Sequence, residues 1–292
     1  MKAHLEVLEV RGLALVQDMG RPGHMHEGVP PGGALVPESL VSAQRAVGNR
    51  AGMAGLECYG RLELRVRGRA AWVSLGAEAF RVEDGQSIMV PPPEYGVVRY
   101  VAVDGGLAVP EVLGGRGTLP VARLGGLQGR SVRSGDVLPI GPEGGRRERP
   151  GALPEPGPEV RVVLGPDLGR FDAGATELLL ESHFTVSPLS DRVGMRLLGA
   201  ALPQADGGVG TSGPQARGAL QVPSSGEVIV LGPDHPTLGG YPVLAVVIRA
   251  DWGRLASRRP GADVRFVAVG VDEARELWRH QVALHAPPPG GP

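Results

Sequence analysis

The alternation of apolar and polar positions makes this chain a succession of short strands. Residues 4–10 and 13–16 carry a period of two around Arg11–Gly12. Residues 62–66, 71–75, 80–82, 87–90 and 97–103 follow, separated by Gly68, Gly76, Asp84–Gly85 and Pro91–Pro93. Strands at that spacing predict a sandwich or a barrel. The second half resumes with 159–164, 183–187 and 190–197, then a hairpin of 219–222 and 227–231 around Pro223–Gly226, an apolar run at 243–248 and a strand at 261–269. Helical spacing is confined to four places. Residues 37–47 place Leu40, Val41, Gln44 and Val47 together, with Pro37 in the first turn and Gly48–Asn49 as the stop, and this helix is expected to plug one end of a sheet. Shorter helices are predicted over 172–180 and from Asp251–Trp252, and an amphipathic one over 271–280.

The stretch 142–158 has no hydrophobic periodicity and is rich in Pro, Gly and charge, so the domain boundary is placed there, giving domains 1–150 and 151–292. A faint internal repeat agrees with two similar halves: Asp104–Gly105–Gly106 matches Leu238–Gly239–Gly240, and Ser134–Gly135–Asp136 matches Pro260–Gly261–Ala262. The tail, 285–292, is expected to be disordered.

Composition sharpens this picture. Glycine and proline number 47 and 28 of 292 residues, yet 42% of positions are hydrophobic and fall in β-branched runs, which indicates a folded chain with many tight turns. A formal charge of −1 gives no electrostatic reason to expect nucleic acid or an anionic membrane as partner. Lys2 is the only lysine, so a phosphate-loop, Schiff-base or general-base lysine in the body of the chain is excluded. Cys58 is the only cysteine, which rules out an internal disulfide and any multi-cysteine metal site. No run has signal-peptide character or membrane-spanning length, and a cytoplasmic location is expected.

Candidate chemistry lies in loops that glycine and proline punctuate. Gln17, Asp18 and Arg21 sit within five positions, on a segment that glycine lets approach a ligand closely; a buried Asp–Arg pair bracing the turn is an equal reading. His24 and His26 lack a further metal-ligand pattern. Asp191 and Arg192 are adjacent, whereas Arg192 and Arg196 would share one face of a strand and suit an anion, or a solvated barrel exterior. The stretch 218–242 offers Gln221, Asp234, His235, Thr237 and Tyr241 from a hairpin and its following loop. Residues 208–213 match G-x-G-x-x-G, but Pro214 follows in place of a helix, so no dinucleotide site is assigned. The residues alone lead to a two-domain β protein with polar loops able to bind a small polar or anionic molecule.

Taken together, VQDMGRPGHMHEGVPPGGA, AVGNRAGMAGLECYG, VDGGLAVPEVLGG, LGGLQGRSVRSGD, SDRVGMRLLG, GALQVPSSGEVIVLGPDHPTLGGYPVLAVV and RPGADVRF resemble, in order, the family containing the C subunit of bacterial 5-oxoprolinase. That family is also called the KipI antagonist family and is similar to the carboxyltransferase domain of urea carboxylase (urea amidolyase). The resemblance implies an all-β chain of two tandem cyclophilin-like β-barrel domains. It implies two partners, the A and the KipI-like B subunits of that enzyme, with which 5-oxoproline is opened to glutamate. ATP would be bound by the complex, with no biotin attached to this chain, no metal, and a small-molecule lactam as substrate. On that resemblance Arg21, Arg192 and Arg196 become candidates for carboxylate or phosphate, and Gln17, Asn49 and Gln221 for amide recognition. Asp18, Asp191 and Asp234 become candidates for proton transfer or orientation, with His235 and Tyr241 at the rim. Asp234→Asn and Gln221→Ala are expected to lower activity and leave folding intact. The chain departs from the family pattern at Val36, where an aspartate is expected, at Gly115 and at Ser257. The alternatives are a regulatory protein antagonising a kinase inhibitor, a component of a biotin-dependent carboxyltransferase acting on urea or a similar amide, and, from fold analogy alone, a prolyl isomerase.

Overall fold

The computed structural model describes residues 2–143, 145, 147, 157–205 and 210–284. The chain divides into two compact units, Met1–Leu153 and Pro154–Pro292. Most of the stretch expected to link them, the G-x-G-x-x-G segment in part and the tail all lie outside the described residues.

The first unit contains strands β1 (His4–Arg11), β2 (Ala14–Gln17), β3 (Gly55–Cys58), β4 (Arg61–Arg67), β5 (Ala71–Leu75), β6 (Glu78–Val82), β7 (Ser87–Val90), β8 (Arg99–Val103) and β9 (Val137–Pro139). They form a four-stranded sheet, β7-β4-β1-β9, and a five-stranded sheet, β2-β3-β8-β5-β6. Leu5, Val7, Leu62, Leu64 and Val66 from the first sheet meet Val16, Leu56, Val73 and Val101 from the second in one buried core. Strand β4 shows how the sequence selects this: Leu62, Leu64 and Val66 alternate with arginine and glutamate, so one face enters the core and the other stays wet. Each such buried aliphatic side chain contributes about 1.5–3 kcal/mol of apolar transfer. Helix α1 (Pro37–Ala46) lies across β3, β8, β5 and β6, so it covers the sheet rather than plugging its end. Ser74 Oγ donates to Ala43 O at 2.9 Å and holds helix and sheet together.

The second unit contains β10 (Glu159–Leu164), α2 (Ala175–Glu181), β11 (Phe184–Val186), β12 (Gly194–Leu198), β13 (Gly213–Pro214), β14 (Ala219–Gln221), β15 (Val228–Leu231), β16 (Leu238–Gly239), β17 (Val243–Val247), α3 (Trp252–Ala256), β18 (Asp263–Ala268) and α4 (Val271–Leu284). A closed barrel runs β10-β17-β14-β15-β12-β11-β18. Val160, Val162, Phe184, Leu197, Leu220, Val230, Leu244, Val264 and Phe266 are buried from alternate positions of its strands. Outside the barrel, β13 and β16 form a small ribbon where the sequence predicted only loop. The expected hairpin is present as β14 and β15, with Leu220 opposite Val230.

Each unit joins its first strand to its last: β1 pairs with β9 antiparallel and β10 with β18 parallel. The two legs of the repeat differ in backbone. Gly135 and Gly261 both hold left-handed φ, +89° and +83°, two residues before β9 and β18. Gly105 and Gly106 are also left-handed, but their counterparts Gly239 and Gly240 are not, and Gly239 lies within β16.

Candidate functional site

In the first unit three loops converge where β2 ends. Arg21 N donates to Pro31 O (2.8 Å), Ala34 N to Asp18 O (2.8 Å) and Thr118 N to Val16 O (2.8 Å). The buried carboxylate of Asp18 accepts from Gly20 N at 2.8 Å and from Arg116 N at 2.5 Å. Arg21, only 1% exposed, donates from Nη2 to Gly117 O at 2.5 Å and from Nε to Val112 O at 3.3 Å. Gln17 Nε2 donates to Thr118 O at 2.8 Å. A Cβ on Gly117 would lie 2.6 Å from Gln17 Oε1 and 2.7 Å from Asp18 Oδ1, so any larger residue there would have to displace those side-chain ends. Asn49 sits after α1, where Nδ2 donates to Gln44 Oε1 (2.6 Å) and Val103 O (2.7 Å) and Oδ1 accepts from Gly105 N (2.8 Å). The sequence suggested ligand contacts at Gln17, Asp18, Arg21 and Asn49; the structure places all four inside networks that hold loops to the sheet.

Glu57 was missed. It is fully buried in β3, and its carboxylate accepts from Tyr100 Oη (2.6 Å), Tyr59 Oη (2.8 Å) and Leu35 N (2.8 Å). Burial and the Glu57 charge raise the Tyr100 pKa well above the ordinary phenol value. Tyr100 Oη in turn accepts from Val36 N at 2.9 Å, so this cluster pins the segment 35–36. A carboxylate inside an otherwise apolar strand, followed two residues later by a tyrosine, was the available signal.

The second unit offers groups with valences left over. Asp191 Oδ1 accepts from Val193 N (2.8 Å) and Gly194 N (3.0 Å), closing a turn, and the residue is exposed. That turn directs Arg192 inward, onto Asp234. Nε meets Oδ2 at 2.8 Å and Nη2 meets Oδ1 at 2.9 Å, a buried bidentate pair. Arg196 lies within β12 and pairs with Glu227 at 3.0 Å. The expected shared strand face of Arg192 and Arg196 is therefore absent, because β12 begins only at Gly194. Each guanidinium has its own carboxylate.

His235 follows Asp234 and is 1% exposed, so it is buried rather than at a rim. Nδ1 lies 2.8 Å from Pro236 O, and a carbonyl can only accept, so Nδ1 carries the proton. Burial lowers the imidazole pKa, the Pro236 hydrogen bond opposes this, and the charge of Arg217 lowers it further. The ring is neutral, with an Nε2 lone pair that no described residue engages. Arg217, also missed in the sequence, stacks over Trp252 at 5.7 Å. Gln221 lies at the end of β14 and donates from Nε2 to Gln215 Oε1 at 2.9 Å. Tyr241 stands 43% exposed beyond β16.

Among the described residues no group of three His, Cys, Asp or Glu side chains is arranged to hold a metal ion, and His24 meets Glu27 at 2.9 Å. No described helix is long and apolar enough to cross a membrane. Cys58 is buried, with its thiol pKa pushed up to about 12 by that burial.

Residues 27–268 match the family model for the carboxyltransferase domain, subdomain A and B. The chain belongs to the carboxyltransferase-domain family. Among curated members, the C subunit of 5-oxoprolinase from Escherichia coli is 33% identical over 95% of both chains. Its counterpart from Haemophilus influenzae is 29% identical over 94% of both. Among solved structures, the Kluyveromyces lactis urea carboxylase superposes with a TM-score of 0.88 at 26% identity, covering 98% of this chain but 29% of that larger one. The carboxyltransferase-domain family thus includes a stand-alone form of this length and a form embedded in a longer polypeptide. The resemblance read from the loop motifs and the strand-rich fold are both confirmed.

Proposed function

We propose that this chain is the C subunit of an ATP-dependent 5-oxoprolinase, working in the cytoplasm with the A and the KipI-like B subunits to hydrolyse 5-oxoproline to glutamate, and inactive alone. The observation that carries this reading is coverage: similarity to the C subunit of the Escherichia coli enzyme extends over 95% of both chains. Similarity to urea carboxylase engages a minor part of that protein.

The chemistry assigned to the second unit is proton handling. Opening a lactam requires attack on the carbonyl carbon and a proton for the departing ring nitrogen. His235 Nε2 is a lone pair on a neutral imidazole whose tautomer Pro236 O sets. It can take the proton of an attacking water and return it to the ring nitrogen. Asp234 is not the base, because both its oxygens are held by Arg192; it orients the backbone that carries His235. The Asp191 carboxylate, anchored through Oδ1, can orient a donor through Oδ2.

Among the described candidate residues none is placed to hold a triphosphate. Lys2 is the only lysine, and the buried Arg21 and Arg192 are turned onto loop carbonyls and Asp234. No step of this chain is routed through ATP; in this reading the partner proteins bind it.

A second reading, a carboxyltransferase component acting on urea with biotin carried elsewhere, draws on the likeness to urea carboxylase. Reconstitution separates the two. Glutamate release from 5-oxoproline with ATP is expected only when this chain and the A and B subunits are all present. A rate unaffected by omitting this chain would sink the proposal, and ATP turnover with urea and biotin carboxylase in its place would favour the second reading.

A further inference from the structure

The second unit contains an amide relay whose direction its surroundings dictate. Gln215 Nε2 donates to two backbone carbonyls, Gly213 O at 3.2 Å and Gly239 O at 3.0 Å, both in the small ribbon of β13 and β16. Carbonyls accept and never donate, so the NH2 group of Gln215 must face the ribbon and its Oε1 must face away. Gln215 Oε1 lies 2.9 Å from Gln221 Nε2. Only an NH2 group can satisfy it, so the Gln221 amide is also fixed, with Oε1 on its other side. No described residue donates to that oxygen. Gln221 is 5% exposed and Gln215 7%, so both amides are held in a site largely withdrawn from water. Space confirms the packing: a Cβ on Gly239 would lie 2.8 Å from Gln221 Nε2 and 3.2 Å from the Gln215 side chain.

We infer that Gln221 presents a locked hydrogen-bond acceptor, Oε1, to the N–H of a neutral amide or lactam, and that Gln215 is the positioning residue that prevents the Gln221 amide from turning over. A free glutamine side chain would flip to suit either a donor or an acceptor, and would not discriminate between an amide N–H and an anionic oxygen. Here the flip would set two NH2 groups against each other and strand a buried acceptor. His235 Nε2 is a second acceptor carried by the same unit. This deepens the lactam reading above by naming the part of the substrate recognised, and its test does not depend on turnover.

The experiment uses the full chain with 2-pyrrolidone and N-methyl-2-pyrrolidone as probes, which differ in the single N–H, and measures binding by saturation-transfer NMR titration. The wild type is expected to favour 2-pyrrolidone by about tenfold, the penalty for leaving a buried acceptor unmet. Gln215→Met removes the lock, and the preference should fall to about twofold as Gln221 becomes free to turn. A double variant, Gln215→Met with Gln221→Glu, places an acceptor-only carboxylate at the site and should restore the preference. Steric exclusion of the N-methyl group would persist in Gln215→Met, so a preference unchanged in that variant overturns the inference. Equal binding of the two probes to the wild type, or binding of neither, overturns it as well. An inactive reconstituted complex alongside intact N–H preference would instead count against the oxoprolinase assignment alone.

Discussion

The two units hold the same side-chain types in different surroundings. In the first, Gln17, Asp18, Arg21 and Asn49 turn toward main-chain donors and acceptors and fasten loops. In the second, Asp191, Gln221 and His235 are each fastened through one atom, and no hydrogen bond among the described residues engages the other. The difference lies in what surrounds them. Around Gln17 the loops carry glycines that bring backbone close to the side chain; its Nε2 meets Thr118 O, while its Oε1 is buried with no hydrogen-bond partner among the described residues. Around His235 and Gln221 one neighbouring carbonyl or amide fixes the tautomer or orientation, and the second valence is left unmatched.

Breaking the comparison most severely requires the most deeply buried ion pair among the described residues of the second unit. Asp234→Ala leaves Arg192 as a buried charge without its carboxylate, and unfolding free energy should fall by about 3–5 kcal/mol in urea denaturation. The sequence led to the expectation that Asp234→Asn leaves folding intact; with the pair buried, that variant is expected to lose stability too, and the same denaturation decides between the two.

Gly117→Ala tests the first unit as a pin. Its new Cβ must displace Gln17 Oε1 or Asp18 Oδ1, and a loss of about 1–3 kcal/mol is expected by the same method. A neutral outcome would mean that the loops are slack there and free to receive a ligand.

The smallest effect comes from protons. His235 has a pKa lowered in the folded state, so below the ordinary imidazole value the unfolded chain binds a proton that the folded chain does not. Stability should therefore be constant above about pH 6.5 and decline as pH falls below it, by at most about 1.4 kcal/mol per pH unit from this group. His235→Asn should flatten that part of the profile; an unchanged slope would show that the ring is not held neutral.

Much of the fold was legible. The strand expected over 159–164 is β10 with those bounds, and β5 and β7 also fall where expected, because turn residues bracket clean apolar alternation. Helix α4 runs on to Leu284, four residues past its expected end, because no glycine or proline stops it at His280. The barrel strand predicted from Ser190 begins instead at Gly194, since Asp191 caps a turn, and the pairing of Arg192 with Arg196 was lost with it. The residues of the candidate site were named more readily than their roles. Which atom of Asp191, Gln221 or His235 stays available depends on partners such as Gln215 and Pro236. Gln215 lies six positions from Gln221 with no periodic relation to it, and only the β13–β16 ribbon makes them neighbours. Glu57 was overlooked for the converse reason: one acid in a short apolar strand reads as an edge residue until Tyr100 arrives from β8.

Joining first strand to last sets a schedule for synthesis. A ribosome releases β10 long before β18 exists, so the emerging second unit must wait with an unclosed sheet margin until residue 268 has cleared the exit tunnel. The first unit meets the same delay with β1 and β9, and can complete its sheet while the second is still being made. The open sheet of the first unit and the unclosed barrel of the second are thus each vulnerable to promiscuous pairing during a defined interval of translation. Slowing elongation just upstream of β18 would lengthen that interval for the second unit alone.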